Sequence, residues 1–303
     1  MNGDPLLVLT RIWPSPTRPS VGSFVRERTR GVPAIRVVRP RWPGAPRPLI
    51  YLQLLADALS GGPVRGVESH VLVPTGFVGL IVARLRRVPL VAYAHGGDVR
   101  AWHRRPVPYR WLARLVARGA DRVVTNSPDT ARWIRRLGAN PTIAPPGVDV
   151  GRFHPTPRPA ERRVLYLGGA NPRKGYEVAQ RHADTLVGPW LRDVDPAEVP
   201  SLMAAHDVVL VPSTDEPFGI VAVEAIASGR WVVAAAVGGL TDIVIDGVNG
   251  TLVRDGDYAA ALGSVPDYDP QEVARTAQRF SLTEWQAKLD QIWEEVLAEA
   301  RQR

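Results

Sequence analysis

The sequence predicts an α/β protein whose two Rossmann-like domains face each other across a cleft. Short apolar runs alternate with helix-like segments throughout the 303 residues, which is typical of parallel strands joined by helical crossovers. A chain of this length has room for two domains. Residues 141–159 are rich in proline and lie between two strand–helix series, so we interpret them as the connection between the domains.

The predicted strands are short, mostly apolar runs. In chain order they are LLVL (6–9), IRVV (35–38), HVLV (70–73), LVAYA (90–94), RVVT (122–125), VLYL (164–167), VVLV (208–211), WVVAAAV (231–237) and TLV (251–253). The predicted helices between them are YLQLLADAL (51–59), GFVGLIVARLRR (76–87), PYRWLARLVARGA (108–120), PDTARWIRRLG (128–138), AEVPSLMAAH (197–206) and FGIVAVEAIASG (218–229). Because the strands are apolar on both sides, we expect helices on both faces of each sheet.

The domain boundaries follow from this order of segments. We predict an N-terminal Rossmann-like domain over residues 1–150 and a C-terminal one over 151–283. Residues 284–303 form a long amphipathic helix that we expect to pack back toward the N-terminal domain. Its apolar side carries Trp285, Leu289, Ile292 and Val296. Ligands of open parallel sheets bind beyond the carboxyl ends of the strands, so both domains can offer such ends to one cleft.

Charge is distributed unevenly along the chain. Residues 1–155 hold 24 arginines, no lysine and 8 acidic residues, a net charge of +16, whereas the remainder holds 14 basic and 22 acidic residues, a net −8. The basic half indicates an anionic partner, namely a phosphorylated substrate, a membrane surface or nucleic acid. An ordinary solvated surface is the alternative. Since the sequence contains no nucleic-acid recognition motif, nucleic acid is not expected as the partner.

Composition excludes several kinds of site. The chain has no cysteine, which rules out disulfides and cysteine-ligated metals. The first apolar run, Leu6 to Leu9, is too short for a signal-peptide core or a membrane span. A cytoplasmic location is therefore expected, with peripheral contact at the inner membrane surface as one option. Asp-x-Asp pairs occur at 193–195, 255–257 and 267–269. Three matches within one acidic half show that this pattern easily arises by chance. No metal site is therefore predicted.

A lone carboxylate, Glu224, interrupts the apolar segment FGIVAVEAIAS (218–228). The length and alanine content of this segment favour a helix that is ended by Gly229. Glutamate is almost never fully buried without a partner. Glu224 therefore either pairs with a buried arginine or lines the cleft, where it would accept hydrogen bonds from a polar ligand such as the hydroxyls of a ribose.

A second carboxylate, Glu216, lies in the turn just before this helix. Phe218, Gly219, Ile220 and Val221 occupy the predicted first turn, where N–H groups lack helical partners and the helix dipole favours an anion. A carboxylate at the mouth, an anion site at the helix start and a second carboxylate two turns in suit a nucleotide-diphosphate-sugar. The sugar would lie by the first carboxylate, the diphosphate at the helix end and the ribose by the second carboxylate.

The segment EPFGIVAVEA, with its two glutamates, resembles the signature of glycosyltransferase family 4, the retaining enzymes of GT-B fold. Five further segments resemble that family: SVGSFVRER (20–28), LVAYAHGGDV (90–99), PPGVDVGRF (145–153), VLYLGGANPRKG (164–175) and AVGGLTDIVIDGVNGTLV (236–253). The resemblance extends over about the whole chain and implies a compact member of the family.

This resemblance implies transfer of a sugar from a nucleotide-diphosphate-sugar donor to an acceptor hydroxyl. It further implies that the anomeric configuration is retained and that no metal or cofactor beyond this co-substrate is needed. By motif, His95 and Glu216 act at the reacting sugar and Glu224 contacts the ribose. Lys174 pairs with the diphosphate, together with the backbone amides of residues 218–221.

Two groups of residues are candidates for the acceptor side. By resemblance, Gly22 and Ser23 border the diphosphate or the acceptor. Arg110, Arg114 and Arg118 recur every four residues and form one basic helix face. These arginines either bind an acceptor that carries phosphate or lies at an anionic membrane, or they form a solvated face. The acceptor is a small molecule, a glycan or a lipid-linked compound.

Two features depart from the family pattern. Gly169 follows YLG where the family usually has an arginine, and we hypothesise that Arg173 takes over the role of that arginine toward the diphosphate. The segment TLVGPWLRDVDP (185–196) stands where a strand and a helix are expected, which leaves Pro189 and Trp190 as candidates for contacting the base. These departures keep a second hypothesis open, a sugar-nucleotide-binding relative that has lost catalysis. A nucleic-acid-binding protein that uses the basic half is the third.

Overall fold

The computed structural model describes residues 3–14, 22–29, 34–100 and 102–302, with only the backbone described for Ser23, Phe24 and His103. Its contacts divide the chain into two compact units. The first comprises Met1–Ala144 together with Gln286–Arg303, and the second comprises Pro145–Trp285.

The first unit contains a six-stranded sheet in the order β2-β1-β3-β4-β5-β6, in which all neighbouring strands are parallel. Its strands are β1 Leu6–Thr10, β2 Ile35–Val38, β3 Gly66–His70, β4 Leu90–Ala94, β5 Arg122–Thr125 and β6 Thr142–Ile143. Its helices are α1 Ser23–Thr29, α2 Arg47–Ser60, α3 Thr75–Arg86, α4 Val107–Gly119 and α5 Pro128–Leu137. Every residue of β1, β3 and β4 is buried, as expected for central strands of a parallel sheet.

The second unit contains a five-stranded parallel sheet in the order β11-β10-β9-β7-β8. Its strands are β7 Val164–Tyr166, β8 Thr185–Leu186, β9 Val208–Val211, β10 Trp231–Ala235 and β11 Gly250–Val253. Its helices are α6 Tyr176–His182, α7 Val199–Ala204, α8 Ile220–Ala227, α9 Leu240–Ile243, α10 Tyr258–Gly263 and α11 Pro270–Arg275.

The C-terminal helix α12 spans Leu282–Arg301. From Gln286 onward it is grouped with the first unit, where Leu289, Ile292 and Val296 are buried. The Trp293 indole N–H donates to Glu68 Oε2 over 2.9 Å. Helix α12 is thus joined to the first unit through its apolar side and through a buried polar contact.

Two parallel α/β units confirm the predicted fold class, but one strand lies elsewhere than predicted. We predicted a strand over HVLV (70–73), whereas β3 covers Gly66–His70. Glu68, Ser69 and His70 are fully buried polar residues that break the apolar pattern, and Val71 has a φ of 77° that ends the extended backbone. Strands β6 and β8 were not predicted, since each has only two residues.

Candidate functional site

The first group of candidate residues lies in the second unit, where the loop after β7 meets the loop after β9. Lys174 ends a short 3-10 helix, Pro172–Lys174, and its Nζ donates to Glu216 Oε2 over 2.6 Å. The same carboxylate oxygen accepts a hydrogen bond from Ser213 Oγ over 3.2 Å. The structure therefore brings together two residues that the sequence placed 42 positions apart.

Close backbone contacts hold these two loops in place. The Thr214 N–H donates to the Arg173 carbonyl over 3.0 Å. A Cβ atom on Gly175 would lie 1.9 Å from the Pro212 carbonyl oxygen, and Gly175 has a φ of +75°. Only glycine allows both this approach and this conformation, so Gly175 helps to position Lys174.

The loop after β10 packs against the same turn. The Gly239 N–H donates to the Glu216 carbonyl over 2.9 Å. A Cβ atom on Gly239 would lie 2.6 Å from Phe218 Cα. The Gly–Gly pair therefore supports the turn that carries Glu216, and this contact explains the conspicuous glycines in the sequence.

Helix α8 starts later than we predicted. Phe218 lies before the helix, its side chain is buried, and its ring packs edge-on against Phe280 at 5.8 Å. Gly219 is the N-cap residue with a φ of 110°, a conformation that favours glycine. The N–H groups of Ala222 and Val223 both donate to the Gly219 carbonyl. The amides of Gly219, Ile220 and Val221 thus precede the first helical hydrogen bond, and Phe218 belongs to the core.

Glu224 lies one turn after Ile220, on the same side of α8, and is partly buried. No hydrogen bond to its carboxylate occurs within the described residues, and the neighbouring charge is Arg152, which is exposed and donates to the Pro196 carbonyl. Burial raises the pKa of Glu224 to about 7, against an opposing effect of Arg152. Among the described residues Glu224 thus has no buried arginine partner, which favours the ligand-facing alternative.

The loop that carries Gly169 leaves no room for a side chain at this position. Gly169 has a φ of +65°, and a Cβ atom there would lie 2.3 Å from the Pro189 carbonyl oxygen. Its N–H donates to the Val187 carbonyl, and its own carbonyl accepts from the Tyr166 hydroxyl over 3.0 Å. The arginine typical of the family would therefore require this loop to be rebuilt.

The predicted substitute cation, Arg173, is 63% exposed and forms an ion pair of 2.9 Å with Asp215. It lies beside Lys174 in the chain, and Asp215 lies beside Glu216. The two adjacent ion pairs therefore join the same two loops.

The candidates for base contact lie against the Gly169 loop. The Pro189 carbonyl accepts from the Ala170 N–H over 2.9 Å. Trp190 is 79% exposed and has a φ of 63°, a conformation that costs a non-glycine residue about 1–3 kcal/mol. An exposed indole held in a strained conformation is a feature that functional sites often contain.

In the first unit, His95 follows β4 and is held by its backbone. The His95 N–H donates to Asp98 Oδ1 over 3.0 Å, and the His95 carbonyl accepts from Asn126 Nδ2 over 3.0 Å. Asp98 Oδ2 also accepts from the Leu72 N–H over 2.6 Å. The aspartate of the HGGD motif thus fixes the end of β4 to the loop after β3.

The sequence analysis missed two buried residues, His70, which contacts His95, and Glu68, which contacts His70. His70 Nδ1 lies 3.1 Å from His95 Nε2, and His70 Nε2 lies 3.0 Å from Glu68 Oε1. Glu68 and His70 are two positions apart in β3 and so point to the same face of the sheet. Placing the strand at 70–73 hid this signal, because it put His70 first in the strand and left Glu68 outside it.

Burial and neighbouring groups shift the pKa values of Glu68 and His95. Burial alone would raise the pKa of Glu68, but Arg28, His70 and the Trp293 indole lower it to about 2. Burial and then the neighbouring His70 lower the pKa of His95 well below its ordinary value, against an opposing effect of Glu68. Glu68 is therefore an ionised carboxylate with no exposure to solvent.

Two groups of candidates remain in the first unit, and the first of them is the pair Gly22 and Ser23. Gly22 precedes α1 with a φ of +72°, and a Cβ atom on it would lie 2.4 Å from the Ile12 carbonyl oxygen. The side chain of Ser23 lies outside the described residues. These contacts account for the glycine through backbone packing.

The predicted basic face lies on α4. The guanidinium groups of Arg110 and Arg114 stack over the ring of Trp102 at 5.5 and 4.8 Å, and this ring is buried. Arg118 is exposed. Two of these three arginines therefore pack against an aromatic ring rather than extending freely into solvent.

Within the part of the chain that the structure describes, no three His, Cys, Asp or Glu side chains are grouped so as to hold a metal ion. None of the described helices combines the length and the apolar character needed to cross a bilayer.

Comparison with sequence families gives two matches. The model described as Glycosyltransferase Family 4 matches residues 2–152. The model described as Glycosyl transferases group 1 matches residues 189–267.

Curated relatives include two bacterial proteins, each named D-inositol 3-phosphate glycosyltransferase. The protein of Corynebacterium diphtheriae is 31% identical over 337 residues, which cover 86% of this chain and 77% of that protein. The protein of Geodermatophilus obscurus is 35% identical over 264 residues, which cover 66% of this chain and 58% of that protein. The chain thus spans 77% of the length of the first of these relatives and 58% of the second.

Solved structures of similar fold cover nearly the whole chain. Alr3699/HepE of Anabaena, in complex with UDP, has a TM-score of 0.74 at 19% identity and covers 96% of this chain and 100% of that chain. Sucrose-phosphate synthase of Thermosynechococcus elongatus has a TM-score of 0.79 at 19% identity and covers 98% of this chain and 100% of that chain. At these identities the likeness concerns the fold.

Proposed function

The chain belongs to glycosyltransferase family 4 and has its GT-B fold, and we propose that it is a retaining, metal-independent sugar transferase. In this proposal it moves a sugar from a nucleotide-diphosphate-sugar to an acceptor hydroxyl. The observation that carries the proposal is the 2.6 Å contact of Lys174 with Glu216 directly before α8. It places a cation, a carboxylate and a helix N-terminus together, which is the set of groups that a sugar diphosphate requires.

The donor is assigned to the second unit. The Lys174 ammonium and the amides of Gly219, Ile220 and Val221 bind the diphosphate, and Arg173 supplies a second cation. Charge-assisted hydrogen bonds of this kind contribute about 1.5–3 kcal/mol each. On donor binding, Lys174 exchanges Glu216 for phosphate oxygens, so the carboxylate becomes available for the hydroxyls of the sugar.

The nucleoside is assigned to two further groups. Glu224 has acceptor capacity that no described residue uses, and ribose hydroxyls would satisfy it. The exposed Trp190 ring offers a face on which a base can stack, which is worth about 1–3 kcal/mol per base. Because the structure of Alr3699/HepE, which has a similar fold, holds UDP, we propose a uridine diphosphate sugar as the donor.

In this proposal the acceptor oxygen attacks from the same face of the sugar that the diphosphate leaves, so the configuration at the anomeric carbon is retained. The bond between the anomeric carbon and the diphosphate oxygen breaks as the bond to the acceptor oxygen forms, and a departing phosphate oxygen takes the acceptor proton. Lys174, Arg173 and the helix amides stabilise the negative charge that develops on the leaving group, so no metal ion is needed. His95 is assigned to the reacting sugar.

The acceptor is proposed to carry phosphate. Residues 1–155 have a net charge of +16, and two curated relatives are named for D-inositol 3-phosphate. Arg110, Arg114 and Arg118 form the basic face that would attract it. An inositol monophosphate is therefore the acceptor to test first.

Thermal-shift measurements with UDP, GDP, ADP and their sugars test donor binding. A ligand at 100 times its dissociation constant stabilises the folded protein by about 2.7 kcal/mol. Transfer is then measured as radiolabelled product formed from the best donor and inositol 3-phosphate, with unphosphorylated inositol as the matched control. We expect UDP and one UDP-sugar to stabilise the protein; no shift with any nucleotide would contradict the proposal.

A second candidate function is a sugar-nucleotide-binding protein without transferase activity. The Gly169 loop favours it, because this loop excludes the arginine that the family pattern has there. Donor binding with neither transfer nor hydrolysis, across donors and acceptors, would support this candidate over the first.

A further inference from the structure

We propose that Glu68 and His70 are positioning residues for His95. In this proposal, Glu68 fixes the ring of His70, and His70 fixes both the orientation of the His95 ring and the nitrogen that carries its proton. The inference rests on the proposed function, because the state of His95 affects catalysis only if this side chain meets the reacting sugar.

The three side chains form a continuous hydrogen-bonded series across two neighbouring strands. Glu68 Oε1 is 3.0 Å from His70 Nε2, and His70 Nδ1 is 3.1 Å from His95 Nε2. The planes of the two imidazole rings differ by only 6°. The two rings are therefore nearly parallel, with their centroids 5.2 Å apart.

The chemistry of the carboxylate fixes the direction of the series. An ionised carboxylate only accepts hydrogen bonds, so His70 Nε2 must be the donor to Glu68. If His70 is neutral, its Nδ1 accepts, and His95 is held as the tautomer with hydrogen on Nε2. If His70 is an imidazolium, its Nδ1 donates, and His95 Nε2 must accept. The proton on His70 thus decides whether His95 Nδ1 is a base or a donor.

The surroundings hold Glu68 and His70 rigidly. Both are fully buried, and Glu68 Oε2 accepts from the Trp293 indole over 2.9 Å. Arg28, from α1, is 2% exposed and lies 3.7 Å from the same oxygen. Turning the His70 ring over would place carbon atoms opposite both partners and break both hydrogen bonds.

The titratable and charged groups around the series come from α1, β4, the loop after β4 and α12. Tyr93 stacks on His70 at 4.8 Å, and Asp98 holds the backbone of His95. Asp290 of α12 lies 3.8 Å from Arg28. Since removing the charge of Glu68 leaves these other groups in place, a change in pH dependence can be attributed to the series.

A purely structural role is the alternative, since Glu68 also joins β3 to Trp293. The two roles differ in what they affect. A structural role changes stability and the amount of folded enzyme. A positioning role lowers kcat at unchanged donor KM and changes the pH profile, because the negative charge of Glu68 favours a protonated His95.

The test compares Glu68→Gln and His70→Asn with Ser69→Ala. Ser69 is a matched control, since it lies between the two in β3, is fully buried and points to the other face of the sheet. We expect Glu68→Gln and His70→Asn each to lose on the order of 10- to 100-fold in kcat, the scale typical of removing a hydrogen-bond partner that orients a metal-binding histidine. The UDP dissociation constant should stay within about twofold. In Glu68→Gln the histidine limb of the pH profile should move to lower pH, and Ser69→Ala should match the wild type.

Nitrogen-15 NMR of the histidine rings provides a readout that needs no activity. In the wild type, at a pH where both imidazoles are neutral, we expect His95 as the Nε2–H tautomer, and in His70→Asn a different or mixed tautomer. If Glu68→Gln keeps the kcat and pH profile of Ser69→Ala and the tautomer is unchanged in His70→Asn, the proposal is wrong. If the wild type transfers no sugar, the proposed function fails, and the NMR result alone decides whether the series fixes the state of His95.

Discussion

The Lys174 ammonium donates to Glu216 Oε2 over 2.6 Å, so the two groups assigned to the diphosphate and the sugar neutralise each other before any donor arrives. This pairing explains how a glutamate that is 6% exposed remains satisfied in the free protein. Because Lys174 and Glu216 are paired, removing either one should leave the other free to bind its assigned part of the donor.

Removing the two partners should have opposite effects on nucleotide binding. Lys174→Ala should weaken UDP binding on the order of 10- to 150-fold, since it loses about 1.5–3 kcal/mol of charge-assisted hydrogen bonding. Glu216→Ala should leave UDP binding equal or tighter, because Lys174 is released, and should instead lower turnover. Calorimetric titration with UDP measures both effects, and Lys288→Ala, at the chain's other lysine, is the matched control. Weaker UDP binding in Glu216→Ala would contradict these assignments.

Glu224 should couple nucleotide affinity to pH. Its pKa is about 7 in the free protein, and ribose hydroxyls donate more strongly to the ionised carboxylate than to the neutral acid. UDP affinity should therefore fall by up to about tenfold for each pH unit below 7, because one pKa unit corresponds to about 1.4 kcal/mol. Glu224→Gln should bind UDP on the order of 10- to 150-fold more weakly at pH 8 and remove this dependence. An unchanged pH dependence in Glu224→Gln would show that another group titrates.

The same residue should lower stability at alkaline pH. The folded pKa of about 7 lies above the ordinary value of 4.5, so the folded state holds a proton that the unfolded state releases. The favourable contribution of Glu224 to the free energy of unfolding is complete below its ordinary pKa of 4.5. This contribution is lost as the pH rises through 7. Glu224→Gln should therefore raise the Tm of the free protein at pH 8 and leave it unchanged at pH 4. The exposed Glu272→Gln is the control and should show no such difference.

The turn that carries Glu216 was predictable as a local structure because its signals are local. Glu216, Gly219 and Glu224 lie within one short segment, where turn chemistry, helix start and a lone carboxylate can be read together. The structure shifted only the helix start, because Phe218 packs into the core and Gly219 serves as the cap. Short-range geometry fixed these features.

The His95 neighbours were not predictable in the same way. Glu68 and His70 act through contacts with α1, β4 and α12, and the indole that holds Glu68 is 225 positions away. A buried carboxylate in a central strand contradicts the apolar pattern on which strand prediction depends. The prediction therefore moved the strand toward apolar residues and missed a candidate site, as expected where local pattern and long-range contacts disagree.

Variants of the basic face on α4 should distinguish the effect of its charge from the effect of its packing. Arg118→Gln removes an exposed charge and should leave the Tm unchanged. Arg110→Gln with Arg114→Gln also removes two stacking contacts on Trp102, and each contact is worth about 0.5–1 kcal/mol. If the acceptor or its membrane is anionic, the triple variant should lose acceptor affinity or binding to anionic liposomes, as the wild type should at high salt. Binding that withstands both changes would assign these arginines to packing alone.

The Gly169 loop should not accept the arginine that the family pattern has there. Gly169→Arg forces a side chain toward the Pro189 carbonyl oxygen and keeps a φ of +65°. We expect it to lower the Tm and to give no rescue of Arg173→Ala. Gly256→Ala is the matched control, since it has a φ of +83° but nothing within 4 Å of the added Cβ, so it isolates backbone strain from the clash. A Gly169→Arg protein as stable as Gly256→Ala would show that the loop can open.

If Arg173 replaces the missing arginine, it must leave Asp215 when the diphosphate binds. The pair is exposed, and exposed pairs contribute about 0–1 kcal/mol, so the exchange costs little. Losing one preorganised electrostatic partner raises a barrier by about 2–4 kcal/mol, so Arg173→Ala should lower turnover on the order of 30- to 1000-fold. Arg181→Ala, at an exposed arginine of α6, should have no such effect. Asp215→Asn, which releases Arg173 beforehand, should bind UDP equally or more tightly. Full turnover in Arg173→Ala would leave Lys174 and the start of α8 as the groups that stabilise the departing diphosphate.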